Sequence, residues 1–273
     1  LFWTPTLGYN NYNGFMAGLA FYNHAAFQKT FEYEFMPFYG FKNKDIAGYG
    51  NVQFNLKPKT RFQQISLGVK AARFAYANIP LELNYNKVSP FVNFIFKKKN
   101  ARSSITQNLS YRAVFLFKEK SNFYFDDATN EIVSQKSEDS YLINDVTYKL
   151  DNKRAINPFS VSANYQSAVG MDKASLTGNY YLTLKNKKAF HFRMFAGKVF
   201  SNTSKFFDGR FRMSGQTGYQ DYTFDNFYFG RSSYSANNVA SQQFTETDGA
   251  FKTGSYAGQS DDWIVAFNIK TTK

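Results

Sequence analysis

The sequence predicts an all-β protein, an antiparallel transmembrane β-barrel with about 12 strands. Apolar and polar residues alternate along many short segments, and no apolar run approaches the roughly 20 residues of a membrane-spanning helix. The connections also divide into a short basic set and a long set. A transmembrane strand needs only about 10 residues of alternating character, because one side faces lipid and the other faces water.

The segment KTFEYEFMPFYGF, residues 29–41, shows the alternation most clearly. Side chains alternate between the two faces of a strand. One face therefore carries Phe31, Tyr33, Phe35, Pro37 and Tyr39, while the other carries Glu32, Glu34, Met36 and Phe38. A soluble sheet with one wet face would show the same pattern, so its repetition decides the interpretation.

The alternation recurs along the chain. A less regular strand is predicted at residues 1–7, and the stretch 142–150 is weaker because Asn144 joins the apolar row. The other predicted apolar rows are, in order, Phe15, Ala17, Leu19 and Phe21; Ile46, Val52, Phe54 and Leu56; Ile65, Leu67, Val69 and Ala71; Val88, Pro90, Val92, Phe94 and Phe96; Leu109, Tyr111, Ala113, Phe115 and Phe117; Phe159, Val161, Ala163 and Tyr165; Leu176, Tyr180, Leu182 and Leu184; Phe190, Phe192, Met194 and Ala196; and Trp263, Val265, Phe267 and Ile269.

Connections at alternate positions have different characters. One set reads NHAAFQ, KPKT, KKKN, DNKR and KNKK, which are short and mostly basic. The other set contains the region of ANIPLELNYN, the stretch 118–140 (KEKSNFYFDDATNEIVSQKSEDS) and residues 201–262. Outer-membrane barrels have short periplasmic turns and longer external loops. The basic turns are therefore predicted to lie in the periplasm, where lysine stems can reach lipid headgroups.

The formal net charge of +13 and the absence of cysteine limit the function classes. Without cysteine there are no disulfides and no thiolate metal sites. Nucleic-acid binding needs basic and aromatic residues on one exposed face, whereas here they alternate to opposite faces. The expected partners are therefore membrane lipid, lipopolysaccharide and proteins of an outer-membrane complex, and nucleic acid is not expected.

No motif predicts an active site in this chain. It contains no HExxH, GxSxG, P-loop or Rossmann pattern, so no catalytic residue, metal or cofactor is predicted and the chain is not expected to be an enzyme. His24 and His191 lie far apart in sequence and lack a third ligand. Glu32 and Glu34 share one strand face about 7 Å apart. They fit paired-carboxylate or cation chemistry, but are interpreted as lumen-facing carboxylates of a polar wall.

Residues 201–262 form the main candidate functional segment. Its motif GRFRMSG places Gly209, Arg210, Phe211, Arg212 and Gly215 together, and many aromatic residues follow. A solvated loop would not need so many aromatic residues, so we expect the segment to pack on itself or to fold into the barrel. In the second case Arg210 or Arg212 would pair with Glu32 or Glu34. The alternative is an ordinary surface-exposed loop.

RFRMSG resembles the Arg-Gly-Phe-type motif in the inward-folding loop of the BamA/TamA-type barrel superfamily. LGYNNYNGFMAGLAFYN, FEYEFMPFYGFKNKDIAGYGNV and SGQTGYQDYTFDNFYFGR are similar to the carboxy-terminal barrel of gluzincin aminopeptidase-like outer-membrane proteins of Gram-negative bacteria. The resemblance implies a bacterial outer-membrane location and a zinc peptidase domain before the barrel, with its ligands outside this chain. It also implies sixteen strands, whereas this chain shows about 12 and ends WIVAFNIKTTK rather than on an aromatic residue.

These observations predict one barrel domain over residues 1–273. The NIKTTK tail resembles an internal turn, which favours a barrel lacking about four strands over a smaller complete barrel. The expected role is a membrane anchor or a translocation-related module of a larger protein or complex. The alternatives are a passive channel or nutrient transporter, and a soluble β-sandwich or adhesin.

Overall fold

The computed structural model describes residues 1–23, 27–78, 81–127, 130–184, 188–203, 209–215, 221–223, 244, 246–253 and 257–272. Its main feature is one antiparallel sheet of 12 strands, which follow one another in chain order. The predictions of an all-β antiparallel fold and of about 12 strands are therefore confirmed. Within the described residues, no helix is long and apolar enough to span a membrane.

The strands of the main sheet have unequal lengths, and β7 and β8 are the longest at 22 residues each. The strands are β1 (Phe2–Asn10), β2 (Gly14–Tyr22), β3 (Phe31–Gly40), β4 (Asp45–Leu56), β5 (Phe62–Ala77), β6 (Leu83–Phe96), β7 (Ile105–Asp126), β8 (Glu131–Asn152), β9 (Phe159–Ala168), β10 (Met171–Thr183), β11 (Ala189–Asn202) and β14 (Trp263–Thr272). Between β11 and β14, the short strands β12 (Phe211–Arg212) and β13 (Gln259–Ser260) pair with each other.

The strand registers keep the predicted rows on opposite faces. Directly paired residues share a face, so a row can be followed across the sheet. One such row contains Glu32, Gln53, Gly68, Phe91, Arg112, Asp145, Gln166 and Lys173. The next row, on the other side, contains Phe31, Phe54, Leu67, Val92, Tyr111, Val146, Tyr165 and Ala174. We call these sides the polar face and the apolar face.

Burial is inverted relative to a water-soluble sheet. Along β11, Arg193 on the polar face is 2% exposed, whereas its neighbour Met194 on the apolar face is 56% exposed. The same contrast runs across the sheet, with Glu32, Lys87, Asp145 and Lys173 buried and Trp3, Leu7, Ile46, Trp263, Val265 and Phe267 exposed. Many large apolar side chains are therefore exposed on the apolar face, and charged side chains are buried on the polar face.

The polar face also contains three apolar clusters beside its charged and amide side chains. Val114, Leu116, Ile143 and Met171 pack with Tyr222 of the segment after β11. Phe195, Val199, Ile264 and Ala266 pack with Phe211 of the same segment. The third cluster contains Met16, Phe38, Ala47 and Phe74. Two of the three clusters thus hold an aromatic residue of the β11–β14 connection.

The β2–β3 contact requires a glycine at position 18. A Cβ atom on Gly18 would lie 2.0 Å from the carbonyl oxygen of Pro37. Pro37 has no N–H group to donate to the ladder. The pairing of β2 with β3 keeps one register but is interrupted between the pairs Gly18–Phe38 and Phe21–Phe35, on either side of this proline.

Two predicted long loops are shorter in the structure. Residues 118–126 and 131–140 continue β7 and β8 as a paired hairpin, rather than forming the acidic loop predicted for 118–140. β5 continues to Ala77 and β6 begins at Leu83, so the connection between them is shorter than predicted. In the outer part of the hairpin Phe123 pairs with Ser134, and Phe125 with Ile132. Backbone pairing joins these parts of β7 and β8, although their residues do not clearly alternate between polar and apolar.

The sheet has two edges in the part of the chain that the structure describes. There β1 pairs with β2 alone, and β14 pairs with β11 alone. The connections after β4, β6 and β8 lie at one end of the strands, and their basic residues Lys57, Lys59, Lys97, Lys98, Lys99, Lys153 and Arg154 are exposed.

Candidate functional site

The candidate site is the surface where described parts of the β11–β14 connection lie on the polar face. The described parts are residues 203, 209–215, 221–223, 244, 246–253 and 257–262, which we call the docked segment. Main-chain hydrogen bonds connect its pieces: the Met213 N–H donates to Gly258, and the Phe251 N–H donates to Met213. The described pieces therefore contact one another, and Phe211 and Tyr222 also pack on the polar face, while the folding of residues 201–262 into a barrel stays a prediction.

Phe211 anchors the docked segment on β11. Its ring is 2% exposed and packs edge-on against Phe195, with 5.7 Å between the ring centroids. The ring also covers Gly197, where an added Cβ atom would meet the Phe211 Cζ atom at 2.7 Å. Glycine at position 197 is therefore the residue that lets the aromatic ring lie against the sheet.

Two buried cations of the sheet bind main-chain oxygens of the docked segment. Arg193 donates from Nη1 to the carbonyl of Asp248 at 2.6 Å and from Nη2 to the carbonyl of Glu246 at 3.1 Å. Lys173 donates from Nζ to the carbonyl of Gly209 at 3.1 Å. A buried charge is costly unless it is paired or hydrogen-bonded. These carbonyl oxygens therefore stabilise cations that are buried between the sheet and the docked segment.

Tyr222 provides a further attachment point, toward β9 and β10. Its hydroxyl donates to Gln166 Oε1 at 2.8 Å, and its ring lies 5.8 Å from Lys173 Nζ. Lys173 Nζ is also 5.2 Å from the ring centroid of Phe211. Lys173 thus lies between the two anchoring rings of the docked segment, a position in which an ammonium group is attracted to aromatic faces.

The turn that carries Asp248 has an unusual backbone. Asp248 and Ala250 have φ angles of 44° and 56°, a region that non-glycine residues seldom adopt. The Asp248 carboxylate accepts the Arg212 N–H at 3.1 Å, and the Gly249 N–H donates to the Arg212 carbonyl at 3.0 Å. Asn268 of β14 donates to the Gly249 carbonyl at 3.2 Å. Contacts on both sides therefore hold this turn against the sheet.

A cavity of about 470 Å³ remains between the docked segment and the sheet. On the sheet side Arg112 and Asp145 form an ion pair at 2.6 Å, and Asn164 also donates to Asp145. The docked segment contributes Glu246, Thr247 and Asp248 to the lining. The cavity therefore combines a charged wall with a charged cover.

Glu246 is held at the edge of this cavity by an ion pair with Lys270. The hydrogen bond from Lys270 is the largest influence on this carboxyl and lowers its pKa below the ordinary value; partial burial opposes the shift without reversing it. Glu246 therefore stays ionised in moderately acidic solution and keeps Lys270 as its partner.

The sequence-predicted loop residues lie within the docked segment. Gly209 supplies the carbonyl for Lys173, Phe211 and Arg212 are both 2% exposed, and the Gly215 N–H donates to Phe251 at 2.9 Å. Arg210 is half-exposed and has a carboxylate partner in Asp261, at 3.7 Å. Arg210 and Arg212 thus differ in exposure, although the sequence predicts the same partners, Glu32 or Glu34, for either of them.

Glu32 and Glu34 lie on the polar face of β3, apart from the strands that hold the docked segment. Glu32 is buried and accepts hydrogen bonds from Gln53 at 2.7 Å, Asn55 at 3.0 Å and the Lys29 N–H at 2.8 Å. Glu34 pairs across the ladder with Asn51. The contacts found for Glu32 are thus with amides of β4 and a neighbouring main-chain N–H. Its pairing with Arg212 stays a prediction.

Of the two histidines, the structure describes His191, whose ring contacts residues of the neighbouring strand β10. His191 Nε2 lies 2.9 Å from Asn179 Oδ1, and the ring stacks on Tyr181 with 4.3 Å between centroids. His24 lies outside the described residues. Among the residues that are described, no group of three or more His, Cys, Asp or Glu side chains is arranged to hold a metal ion.

Arg193 and Lys173 are the main residues that the sequence interpretation missed. Arg193 lies within β11 and Lys173 near the start of β10, and both are on the polar face, unlike the basic residues clustered in the turns. That position on the polar row of a strand is the signal that could have identified them, because a buried cation needs a specific partner.

The chain matches none of the family models, curated proteins or solved structures with which it was compared.

Proposed function

We propose that this chain is a membrane-embedded β-barrel of the bacterial outer membrane, with the apolar face toward lipid and the polar face toward an enclosed interior. In this proposal the docked segment occludes the interior. The barrel acts as a membrane anchor or translocation-related module of a larger protein or complex. Lipid and lipopolysaccharide contact its outer surface.

The inverted burial of neighbouring residues carries the proposal. Exposed apolar area costs about 25 cal/mol per Å² in water, so a soluble sheet buries its large side chains. Here Trp263, Val265 and Phe267 are more than half exposed on one strand, while Arg193 of the adjacent strand is almost fully buried. Lipid reverses this cost, since apolar side chains are then in contact with hydrocarbon.

In a membrane, the backbone N–H and C=O groups at the edges of the sheet also need hydrogen-bond partners. Unpaired backbone groups are too costly in hydrocarbon, so membrane-spanning sheets close into barrels. The proposal therefore requires β1 and β14 to pair with each other or with further strands. Pairing with further strands would agree with the sixteen strands that the resemblance to outer-membrane barrels implies. The same resemblance implies a zinc peptidase domain before the barrel. The complete coding sequence tests whether such a peptidase domain is encoded with the barrel.

A module with an occluded interior is favoured over an open porin by the docked segment. Phe211, Tyr222 and the turn at Asp248 all lie on the polar face, where a water-filled channel would need space. The channel alternative is supported by the cavity of about 470 Å³ with its charged lining. The two functions differ in whether ions pass through the undisturbed protein.

The experiment has two parts. The full chain is first separated into soluble and membrane fractions, and the purified protein is run on gels with and without heating. A detergent-requiring protein whose mobility changes on heating supports the barrel, whereas a protein that is soluble without detergent overturns it. Single-channel recording in planar bilayers then separates the roles, because an occluded module gives little conductance and a porin gives steady open channels.

A further inference from the structure

The cavity beneath the docked segment has a strongly basic wall. Among its described lining residues, the sheet contributes four cations against one carboxylate, Asp145, which Arg112 already pairs. The four cations are Lys70, Arg112, Lys173 and Arg193. The docked segment contributes no described cation to the lining, but two carboxylates, Glu246 and Asp248. The cover therefore offsets part of the positive charge of the wall.

The hydrogen bonds of the two buried wall cations across this boundary have one chemical character. At Arg193 and Lys173 the docked segment presents electronegative oxygens, the carbonyls of Asp248, Glu246 and Gly209. Arg193 and Lys173 are 2% and 5% exposed, so their positions are fixed within the sheet. If the segment moved away, these cations would lose the carbonyl oxygens that stabilise them. Buried cations then require other electronegative partners, either water or anions.

We propose that this wall is an anion site and that the docked segment covers it. The ligand class is small inorganic anions, with chloride as the probe. When the segment is displaced, anions enter between Lys70, Arg112, Lys173 and Arg193, and the interior passes anions in preference to cations. Rings of basic side chains give this selectivity in pores. The inference rests on the proposed function, because it requires an enclosed interior in a membrane.

Gly197 offers a way to displace the segment without changing any charge. Valine at this position would clash with the Phe211 ring, since even a Cβ atom would approach it within 2.7 Å. Gly178 of the adjacent strand β10 is the matched control, because an added Cβ there meets nothing within 4 Å. We expect Gly197→Val to conduct in planar bilayers and Gly178→Val to behave as the unmodified protein.

Selectivity is measured from the reversal potential in a gradient of potassium chloride. Gly197→Val should show a permeability ratio for chloride over potassium above one. Adding Lys70→Gln removes a wall cation for which the structure shows a contact with the Phe91 ring, 5.4 Å from Lys70 Nζ to the centroid. The double variant should shift the ratio toward one. A cation-selective pore, or a ratio unaffected by Lys70→Gln, overturns the inference.

The design separates this inference from the proposed function. A chain that is soluble without detergent overturns both, whereas a membrane-embedded barrel with a cation-selective pore overturns the inference alone. Phe211→Ala is a second displacing variant, because it removes the anchoring ring without adding a clash and covers the case in which Gly197→Val does not fold. If folded barrels of both displacing variants conduct no more than Gly178→Val, the segment does not cover a pathway and the inference is wrong.

Discussion

Arg193 donates a 2.6 Å hydrogen bond to the carbonyl of Asp248, which joins the middle of β11 to a turn 55 residues later in the chain. The same guanidinium binds the carbonyl of Glu246 and, at 3.3 Å, the side chain of Asn268 on β14. One enclosed cation therefore links two strands of the sheet to the segment that lies on them. The attachment of the segment should depend on this side chain.

Arg193→Gln should loosen the docked segment. The shorter neutral side chain cannot reproduce the three contacts, and hydrogen bonds to charged groups contribute about 1.5–3 kcal/mol each. We expect faster protease cleavage between residues 203 and 262 and a lower temperature of heat-induced gel shift. Arg102→Gln is the control, because Arg102 is exposed in the turn after β6. Equal cleavage rates for the two variants would show that Arg193 does not hold the segment.

Gly18→Ala should destabilise the β2–β3 contact. A Cβ atom 2.0 Å from the Pro37 carbonyl forces the strands apart, and overpacking of this kind costs about 1–3 kcal/mol. The measurement is the thermal unfolding midpoint in detergent, compared with Gly178→Ala. A midpoint no lower than that of the control would contradict the close approach of these strands.

Acidification should weaken the ion pair between Glu246 and Lys270. The pKa of Glu246 is lowered in the folded protein, so its stabilising contribution is complete above the ordinary glutamate pKa of about 4.3 and is lost as pH falls through the lowered value. Thermal midpoints of the unmodified protein and of Glu246→Gln should therefore converge as pH is lowered from 7 to 3. A constant difference over that range would show that this carboxyl does not contribute in the expected way.

The sequence was sufficient to predict the strands of the main sheet and the face on which each side chain lies, because the alternation of apolar and polar residues is local. The period of two alone predicts that Phe31, Phe35 and Tyr39 lie on the face opposite to Glu32, and the register agrees. Asn144 weakened the pattern because it lies on the apolar face, where its side-chain oxygen accepts a hydrogen bond from the Tyr111 hydroxyl at 2.8 Å. A cross-strand partner of this kind cannot be recognised before the register is known.

The candidate site could be predicted only in part. The aromatic content of the segment after β11 predicts that it packs on itself or folds into the barrel, but the match of Phe211 to Gly197 depends on a contact between distant residues. The outer hairpin of β7 and β8 was missed because Lys118 to Asp126 lacks consistent alternation. Its strands are extended by backbone pairing, which does not depend on residue type.

The central claim, that the apolar face contacts lipid, is tested most directly by two neighbouring substitutions on β10. Leu176 is 51% exposed on the apolar face, and Thr177 is half-buried on the polar face beside the cavity. Folding of Leu176→Arg and Thr177→Arg into lipid vesicles is followed by denaturant titration. An arginine facing lipid at mid-depth costs about 2–4 kcal/mol, so Leu176→Arg should be less stable by this amount while Thr177→Arg changes little. The opposite order, with arginine tolerated at 176 and destabilising at 177, is the result expected for a water-exposed sheet and would contradict the claim.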